Sequence, residues 1–311
     1  MELKDYLISE FVEDYIERHL TRRQVLQRLA GITGSMAMAT SILAACGPQQ
    51  PPAPRATAAA TNTALPPTAT PSTPNVVANG PAIQAQDVQF PGQGATILGY
   101  LARPQGNGPF SAVLVCHENR GLLEHIKDVT RRVAKAGFIG LSVDLLSRQG
   151  GTDKVAQAQV SGILGNADEA QMVGDFISGW NYLKTLPYVR KDGAGMVGFC
   201  FGGGITWRVA TKLPELKAAV PFYGPNPRDL SEVANIRAAV LGLYGELDRF
   251  VNPGIPAIEA EMMKDGKTFE KIIYPNANHA FHNDTGQSYN AAAARDGWAK
   301  AMAWFDKYLK A

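Results

Sequence analysis

The sequence is poor in the residues that build metal sites and disulfide frameworks. Its 311 residues include three cysteines and five histidines. It contains no Cys-x-x-Cys or His-x-x-x-His pair, the spacings that typify many zinc sites. Three cysteines are also too few for the framework of a small disulfide-rich secreted domain. We therefore expect no metal site, and nothing in the sequence implies a cofactor.

A surplus of charge of one sign is also missing. Thirty Lys and Arg residues face 28 Asp and Glu residues, for a net charge of +2. Since no basic cluster interrupts this balance, the sequence does not indicate a nucleic-acid partner. Charge alone identifies no other partner and leaves the oligomeric state open.

Long apolar runs are absent too, and the weakly apolar run from Leu29 to Ala45 carries no charge and is rich in Gly, Ala, Ser and Thr. A membrane-spanning helix needs about 20 predominantly apolar residues, so the stretch better fits the apolar region of a signal peptide. It follows Thr21-Arg22-Arg23-Gln24-Val25-Leu26, which resembles a twin-arginine export signal. It ends at Leu43-Ala44-Ala45-Cys46, which resembles a bacterial lipobox.

These features predict that residues 1–45 are a signal segment and that a lipid is attached to Cys46. The predicted partners are then the twin-arginine export machinery and a membrane, contacted through the lipid. The predicted location is the outer face of the cytoplasmic membrane. An uncleaved signal that anchors the chain remains the alternative.

Residues 46–82 are dominated by Pro, Ala and Thr and carry one charge, Arg55. Such a segment buries too little apolar surface to offset the entropy of ordering, which predicts a disordered tether. The remaining residues, 83–311, are enough for a single catalytic domain.

Within that domain, short apolar runs alternate with longer helical patterns. This alternation predicts an α/β fold with a mostly parallel central sheet and helices on both faces. Residues 145–166 are predicted to be a loop or short helix over the site. The strands are predicted near 96–101, 112–116, 138–143, 194–199, 217–222, 238–244 and 268–274, and the helices near 125–136, 168–185, 203–212, 255–264 and 290–309.

The segment Gly198-Phe199-Cys200-Phe201-Gly202 places a thiol at the position of serine in the G-x-S-x-G nucleophile elbow. A short apolar strand precedes it and a helical pattern follows, which is the context that such an elbow requires. Cys200 is therefore the predicted nucleophile. The backbone N–H of Phe201, at the start of the helix, is expected to stabilise a thiolate or an oxyanion. The alternative is a buried cysteine packed among glycines.

An acid and a base follow the predicted nucleophile in the chain order of α/β-hydrolases. Asp248 comes just after a buried strand, and His279 lies in the loop after the next strand. Ligands bind at such carboxyl ends in parallel sheets, which favours these two residues. Glu246 and His282 remain the competing choices.

Taken together, these motifs resemble the dienelactone hydrolase family of α/β-hydrolases over roughly residues 84–311. The resemblance implies a Cys-His-Asp triad that attacks an ester or lactone carbonyl and forms a thioester. It also implies that Glu118 holds the resting thiol and that the N–H of Asn119 joins that of Phe201 in the oxyanion hole. The matching segments are Cys116-His117-Glu118-Asn119-Arg120-Gly121-Leu122, Val143-Asp144-Leu145-Leu146, Gly198-Phe199-Cys200-Phe201-Gly202-Gly203, Gly245-Glu246-Leu247-Asp248 and Asn278-His279-Ala280-Phe281.

The sequence departs from this family where the substrate is chosen. The family binds the carboxylate of a dienelactone with two arginines; Asn283 stands at one of these positions, and residues 150–171 contain no arginine. Because asparagine does not reproduce bidentate recognition, we expect a substrate other than the family's dienelactone. Arg120 or Arg148 is either a replacement carboxylate binder or a surface charge, and Tyr223 either lines the pocket or packs in the core.

Two functions stay open at this point. One is a hydrolase of a small ester or lactone, and the other is a membrane-tethered binding protein that keeps the hydrolase fold without its chemistry. A disulfide between Cys116 and Cys200 would silence the nucleophile. We expect both thiols to be free, because twin-arginine substrates fold in a reducing compartment before export.

Overall fold

The computed structural model describes residues 3–16, 20–46 and 75–310. A sheet of eight strands forms its centre, with the spatial order β1-β2-β4-β3-β5-β6-β7-β8. The strands are β1 (Ile83–Gly92), β2 (Ala95–Pro104), β3 (Phe110–Cys116), β4 (Ile139–Val143), β5 (Val189–Phe199), β6 (Leu216–Phe222), β7 (Ala239–Gly245) and β8 (Phe269–Tyr274).

The sheet is mostly parallel. β2 runs antiparallel to both of its neighbours, whereas β4, β3, β5, β6, β7 and β8 pair in parallel. Every residue of β4 and β7 is buried. Strands that are apolar on both sides must be shielded from water on both faces of the sheet, and helices provide this cover. The short apolar runs in the sequence therefore favour this fold.

Helices cover the two faces of the sheet. α4 and α9 pack on one face, while α6 and α7 pack on the other. Gly195 and Gly198 of β5 show the two sides, since one approaches Phe305 of α9 and the other approaches α7. The helices are α4 (Glu124–Lys135), α5 (Gln157–Asn166), α6 (Glu169–Thr185), α7 (Phe201–Lys212), α8 (Ile255–Lys264) and α9 (Ala291–Leu309).

The predicted α/β fold is confirmed, and each of the seven predicted strands and five predicted helices has a counterpart. The pattern missed β1, an edge strand in which only Ile83, Val88 and Phe90 are buried. Residues 145–166, predicted as a loop or short helix, contain two 3₁₀ turns, Ser147–Gln149 and Thr152–Lys154, followed by α5.

Three further helices precede the sheet, and we call them the helical cap: α1 (Leu3–Ile16), α2 (Arg22–Thr33) and α3 (Met36–Cys46). Thr21 and Gln24 form a capping box at the start of α2. α2 crosses α5 where Gly31 meets Gly162, and a Cβ on Gly162 would lie 2.8 Å from the Gly31 carbonyl oxygen. The absence of side chains at this crossing lets the cap approach α5 closely.

Several predictions about the amino-terminal region stay predictions. Most of the tether, residues 47–74, and the Cys46 side chain lie outside the described residues. Arg22 and Arg23 are exposed at the start of α2. Across the described ranges, no helix combines the length and apolar character that crossing a membrane requires.

The strand order brings the predicted site residues together. Loops that follow β3, β5, β7 and β8 carry Glu118, Cys200, Asp248 and His279 respectively. The carboxyl ends of these parallel strands lie at one edge of the sheet. Residues distant in the chain therefore meet in one crevice.

Candidate active site

Cys200 occupies a strained turn between β5 and α7. Its φ is 59° and its ψ is −124°, a combination that non-glycine residues rarely adopt. Its N–H donates to the Phe222 carbonyl at 3.1 Å, and its carbonyl accepts from the Gly204 N–H at 3.1 Å. A Cβ on Gly202 would overlap the Cys116 and His117 carbonyl oxygens. Strand, strained cysteine and tightly packed helix together form the elbow that the motif predicts.

Asp248 and His279 form a buried pair beside this turn. His279 Nδ1 lies 2.7 Å from Asp248 Oδ2. The other carboxylate oxygen of Asp248 accepts from the backbone N–H groups of Phe250 and Val251, at 3.1 and 3.0 Å. Because Asp248 is held on both oxygens, we assign the proton to Nδ1, which leaves Nε2 to face Cys200.

Electrostatics favour protonation of this imidazole. Burial alone lowers the pKa of His279, but the charge and hydrogen bond of Asp248 outweigh it and raise the pKa well above its ordinary value. A histidine beside a buried carboxylate is a stronger base than a free one. The pair can therefore accept a proton from a nearby thiol.

The competing acid and base have other partners. Glu246 accepts from the Asn276 N–H at 2.9 Å. The His282 ring packs at 4.9 Å from the Phe199 ring and 5.1 Å from the Phe222 ring. Burial, followed by the charges of His125 and Arg132, lowers the pKa of His282 to about 3. The structure thus brings Asp248 and His279 together and leaves Glu246 and His282 in other contacts.

The Cys200 thiol is covered by α1, which the sequence did not predict. The Tyr6 hydroxyl lies 3.3 Å from Cys200 Sγ and 2.8 Å from His279 Nε2. Both carboxylate oxygens of Glu10 lie 3.5 Å from the same sulfur. Cys200 is only 2% exposed. The sequence does contain a signal for a buried amphipathic helix here, because Leu3, Leu7 and Phe11 recur at helical spacing, and all three are buried.

This environment disfavours the thiolate. Burial first, and then the charge of Glu10, raise the pKa of Cys200 to about 12, although His279 acts in the opposite direction. Burial also raises the pKa of Glu10, to about 7. With α1 in place, Cys200 is therefore held as a neutral thiol.

The Glu118 side chain is bound to Asn283 and not to the thiol, which the family resemblance implies as its partner. Its Oε2 accepts from Asn283 Nδ2 at 2.7 Å, and it is 8% exposed. The carboxylate in contact with the sulfur belongs to Glu10 instead, and Asn119 Nδ2 donates to Glu10 Oε1 at 2.9 Å. The expected contact of Glu118 with the resting thiol is therefore wrong for this arrangement, because Asn283 binds Glu118 and α1 fills the space beside the thiol.

The remaining predicted residues surround this centre. The Tyr223 side chain is fully buried, and its ring meets the His279 ring edge-on at 4.9 Å, so Tyr223 both packs in the core and lines the site. Phe201 is the first residue of α7, and its backbone N–H belongs to the free donors of that helix end. Arg120 is exposed and, with Arg28 of α2, lines a cavity of about 280 Å³ next to Cys200.

Two other predictions from the sequence can be compared with the structure. Arg148 binds Asp175 through both guanidinium nitrogens, at 2.6 and 3.0 Å, so this arginine is already occupied. Cys116 and Cys200 are both free thiols. Cys200, the predicted nucleophile, is therefore not held in a disulfide.

One group of residues has the atoms to bind a metal ion. Ligand atoms of Glu10, Cys200 and His279 all lie within 4.8 Å of one another. A thiolate, an imidazole and a carboxylate together suit a zinc-like ion. The sequence argument against a metal does not extend to this group, because Glu10 joins it only through tertiary packing.

Comparison with known proteins gives a consistent picture. The model of the "Dienelactone hydrolase family" matches residues 97–309. A protein of Methylorubrum extorquens named "Putative carboxymethylenebutenolidase" is 38% identical over 263 residues, covering 79% of this chain and 88% of that protein. A protein of Escherichia coli K12 with the same name is 35% identical over 246 residues, covering 73% of this chain and 88% of its own.

Solved structures agree with these sequence matches. The crystal structure of a "Putative Dienelactone Hydrolase" from Klebsiella pneumoniae is similar with a TM-score of 0.68 and 31% identity, covering 73% of this chain and all of that one. A dienelactone hydrolase from Anabaena variabilis, at 20% identity and a TM-score of 0.59, shares the fold.

Proposed function

Because this chain belongs to the dienelactone hydrolase family, and is thus a hydrolase acting on ester bonds, we propose that it cleaves a small ester or lactone through Cys200, His279 and Asp248. The single observation that carries the proposal is the buried Asp248–His279 pair, at 2.7 Å, whose second ring nitrogen, Nε2, lies on the Cys200 side of the crevice. A nucleophile, a base and a group that orients the base are the parts that covalent acyl transfer requires.

In the proposed first step, His279 Nε2 takes the thiol proton as Cys200 Sγ attacks the carbonyl carbon. The S–C bond forms and the carbonyl π electrons move to oxygen, where the N–H groups of Phe201 and Asn119 are proposed to stabilise the oxyanion. The C–O bond to the leaving group then breaks, and His279 returns the proton to the departing oxygen. The product is a thioester on Cys200.

In the proposed second step, water hydrolyses the thioester. His279 takes one proton from the water as its oxygen bonds to the acyl carbon, and the C–S bond breaks. The acid leaves and the proton returns to sulfur. Asp248 keeps the imidazole oriented and stabilises its charged form in both steps.

Substrate recognition is proposed to differ from that of the family's dienelactone. Asn283 is engaged with Glu118 at 2.7 Å, and Arg148 is engaged with Asp175. Neither residue offers a free bidentate clamp for a carboxylate. Arg120, which lines the cavity beside Cys200, is the remaining candidate for binding a substrate carboxylate.

Trapping the acyl-enzyme tests the proposal and separates it from the alternative of a binding protein. The full chain and its Tyr6→Ala/Glu10→Ala variant are mixed with p-nitrophenyl acetate, quenched in acid and digested. We expect a mass increase of one acetyl group on the peptide that contains Cys200. Cys116 serves as the internal control thiol, since it is free and fully buried. Hydrolysis without acylation of Cys200, with or without added chelator, would overturn the mechanism.

We also propose that the chain is exported and carries a lipid on Cys46. Support comes from the exposed Arg22 and Arg23 at the start of α2 and from the lipobox-like sequence before Cys46. Mass spectrometry of the protein from membranes of a lipoprotein-processing bacterium is expected to find Cys46 as the modified first residue. A Cys46→Ala chain is the control, because it should keep its signal. An unmodified amino terminus at Met1 in the membrane fraction would exclude the lipid.

A further inference from the structure

The helix α1 occupies the position that a substrate would take. The Tyr6 hydroxyl lies between the sulfur and the imidazole, 3.3 Å from Cys200 Sγ and 2.8 Å from His279 Nε2. The Glu10 carboxylate lies against the same sulfur and accepts from Asn119. No substrate carbonyl can approach Sγ while these two side chains are in place.

The two side chains resemble the products of an ester hydrolysis. At the end of the first step, the O–H of the departing alcohol or phenol points at His279 Nε2. The Tyr6 hydroxyl lies in the same position relative to the His279 ring. The released acid ends the second step beside Sγ, where the Glu10 carboxylate lies. Because product-like groups make the contacts of the reacting atoms without reacting, they are natural inhibitors of such a site.

α1 is held in the active site by apolar packing against the rest of the protein. Tyr6 and Phe11 are fully buried, and α1 packs against α2, α5 and α7. α2 in turn is fixed to α5 at the Gly31–Gly162 crossing. The dienelactone hydrolase model begins at residue 97, so the whole helical cap lies outside the region that matches the family.

From this geometry we infer that α1 is an intramolecular inhibitor, and that the chain stays latent until the helical cap leaves the active site. The inference rests on the proposed hydrolase function of that site. Cleavage before Cys46 would remove all of α1 and nearly all of the cap, so the segment predicted to direct export also blocks the enzyme before export. Burial first, and then the charge of Glu10 on the docked helix, raise the pKa of Cys200, which is consistent with this inference.

The first experiment measures thiol reactivity and hydrolysis on full-length variants. In Tyr6→Ala/Glu10→Ala we expect iodoacetamide to alkylate Cys200, and p-nitrophenyl acetate to be hydrolysed, about tenfold faster or more than in the parent. Tyr6→Phe, which loses only the hydroxyl, should be intermediate. Asp5→Ala is the matched control, because Asp5 lies on the same helix and its side chain is exposed; it should behave as the parent.

The two readouts separate this inference from the proposed function. Faster alkylation together with faster hydrolysis supports both. Faster alkylation without hydrolysis of any ester supports the blocking helix and removes the hydrolase mechanism. Equal rates of alkylation and of hydrolysis in the parent and the double variant overturn the inference and leave the hydrolase mechanism standing.

A second experiment does not depend on the fold of the variants. A protease recognition sequence is inserted within residues 47–74 of the full chain, which is cut after purification and passed over a sizing column. Activity is expected to rise about tenfold or more once the cap has been separated. A synthetic peptide of residues 1–20 should restore inhibition, whereas the same peptide with Tyr6→Ala and Glu10→Ala should not. Unchanged activity after separation contradicts the inference.

Discussion

Replacing Cys200 with alanine is expected to lower kcat/KM for p-nitrophenyl acetate by about 10⁴-fold or more, because the change removes the group proposed to form the acyl intermediate. The measurement is best made in the Tyr6→Ala/Glu10→Ala background as well as in the parent, so that a blocked site is not mistaken for a missing nucleophile. Circular dichroism and thermal melting should match those of the protein with Cys200 intact, since the change removes one sulfur atom.

Two further variants serve as matched controls. One replaces the other buried thiol, and the other replaces the sulfur of Cys200 with oxygen. Cys116→Ala should keep most of the activity, because Cys116 ends the neighbouring strand β3 without contacting His279. Cys200→Ser should lose most of it, since a serine hydroxyl is ionised with greater difficulty than a thiol. Full activity in either Cys200 variant would show that the thiol is not the nucleophile.

Asp248→Asn is expected to lower kcat by about 10²- to 10⁴-fold with a smaller change in KM. The amide keeps the size of the carboxylate but removes the charge that faces His279 Nδ1 at 2.7 Å. Without that charge the imidazole loses orientation and basicity, which weakens proton removal from the thiol. Steady-state kinetics on the two proteins give the two parameters separately.

The pH profile distinguishes this role from a purely structural one. Asp248 raises the pKa of His279, and the base must be neutral to accept a proton, so activity falls as the pH drops through that pKa. In Asp248→Asn the residual acid limb should therefore move to lower pH. Glu246→Gln is the control, because Glu246 binds the Asn276 N–H, and its acid limb should not move. If the acid limb of the pH profile does not move in Asp248→Asn, Asp248 does not tune the basicity of His279.

Much of this arrangement was readable from local sequence patterns. Apolar runs such as Val240–Leu243 have to be buried on both sides, which implies a parallel sheet under two layers of helices. The glycines around Cys200 indicate a tight turn, and the turn is present with a φ of 59°. Asp248 and His279 each follow a strand, and the parallel order of the strands brings them to the same edge of the sheet.

Other features had weak or misleading local signals. β1 contains a proline and the adjacent polar residues Gln86 and Asp87, which interrupt the alternation of a strand; an edge strand tolerates both because it pairs on one side only. The contact of Asn283 with Glu118 joins residues far apart in the chain, and it displaces the contact that the family resemblance implies for the thiol. Arg148 is a residue type that can bind a carboxylate, but its guanidinium already donates to Asp175 of α6.

The amino-terminal region shows most clearly the difference between what the sequence determines and what only the tertiary structure decides. Spacing and composition alone determined the fold class, the elbow and the chain order of nucleophile, acid and base, because these depend on local backbone preferences and on periodic burial. Only the tertiary structure decided that Tyr6 and Glu10, almost 200 residues before Cys200, lie on its sulfur. The physical reason is that a helix shows its apolar face in the sequence but not the surface against which that face will be buried.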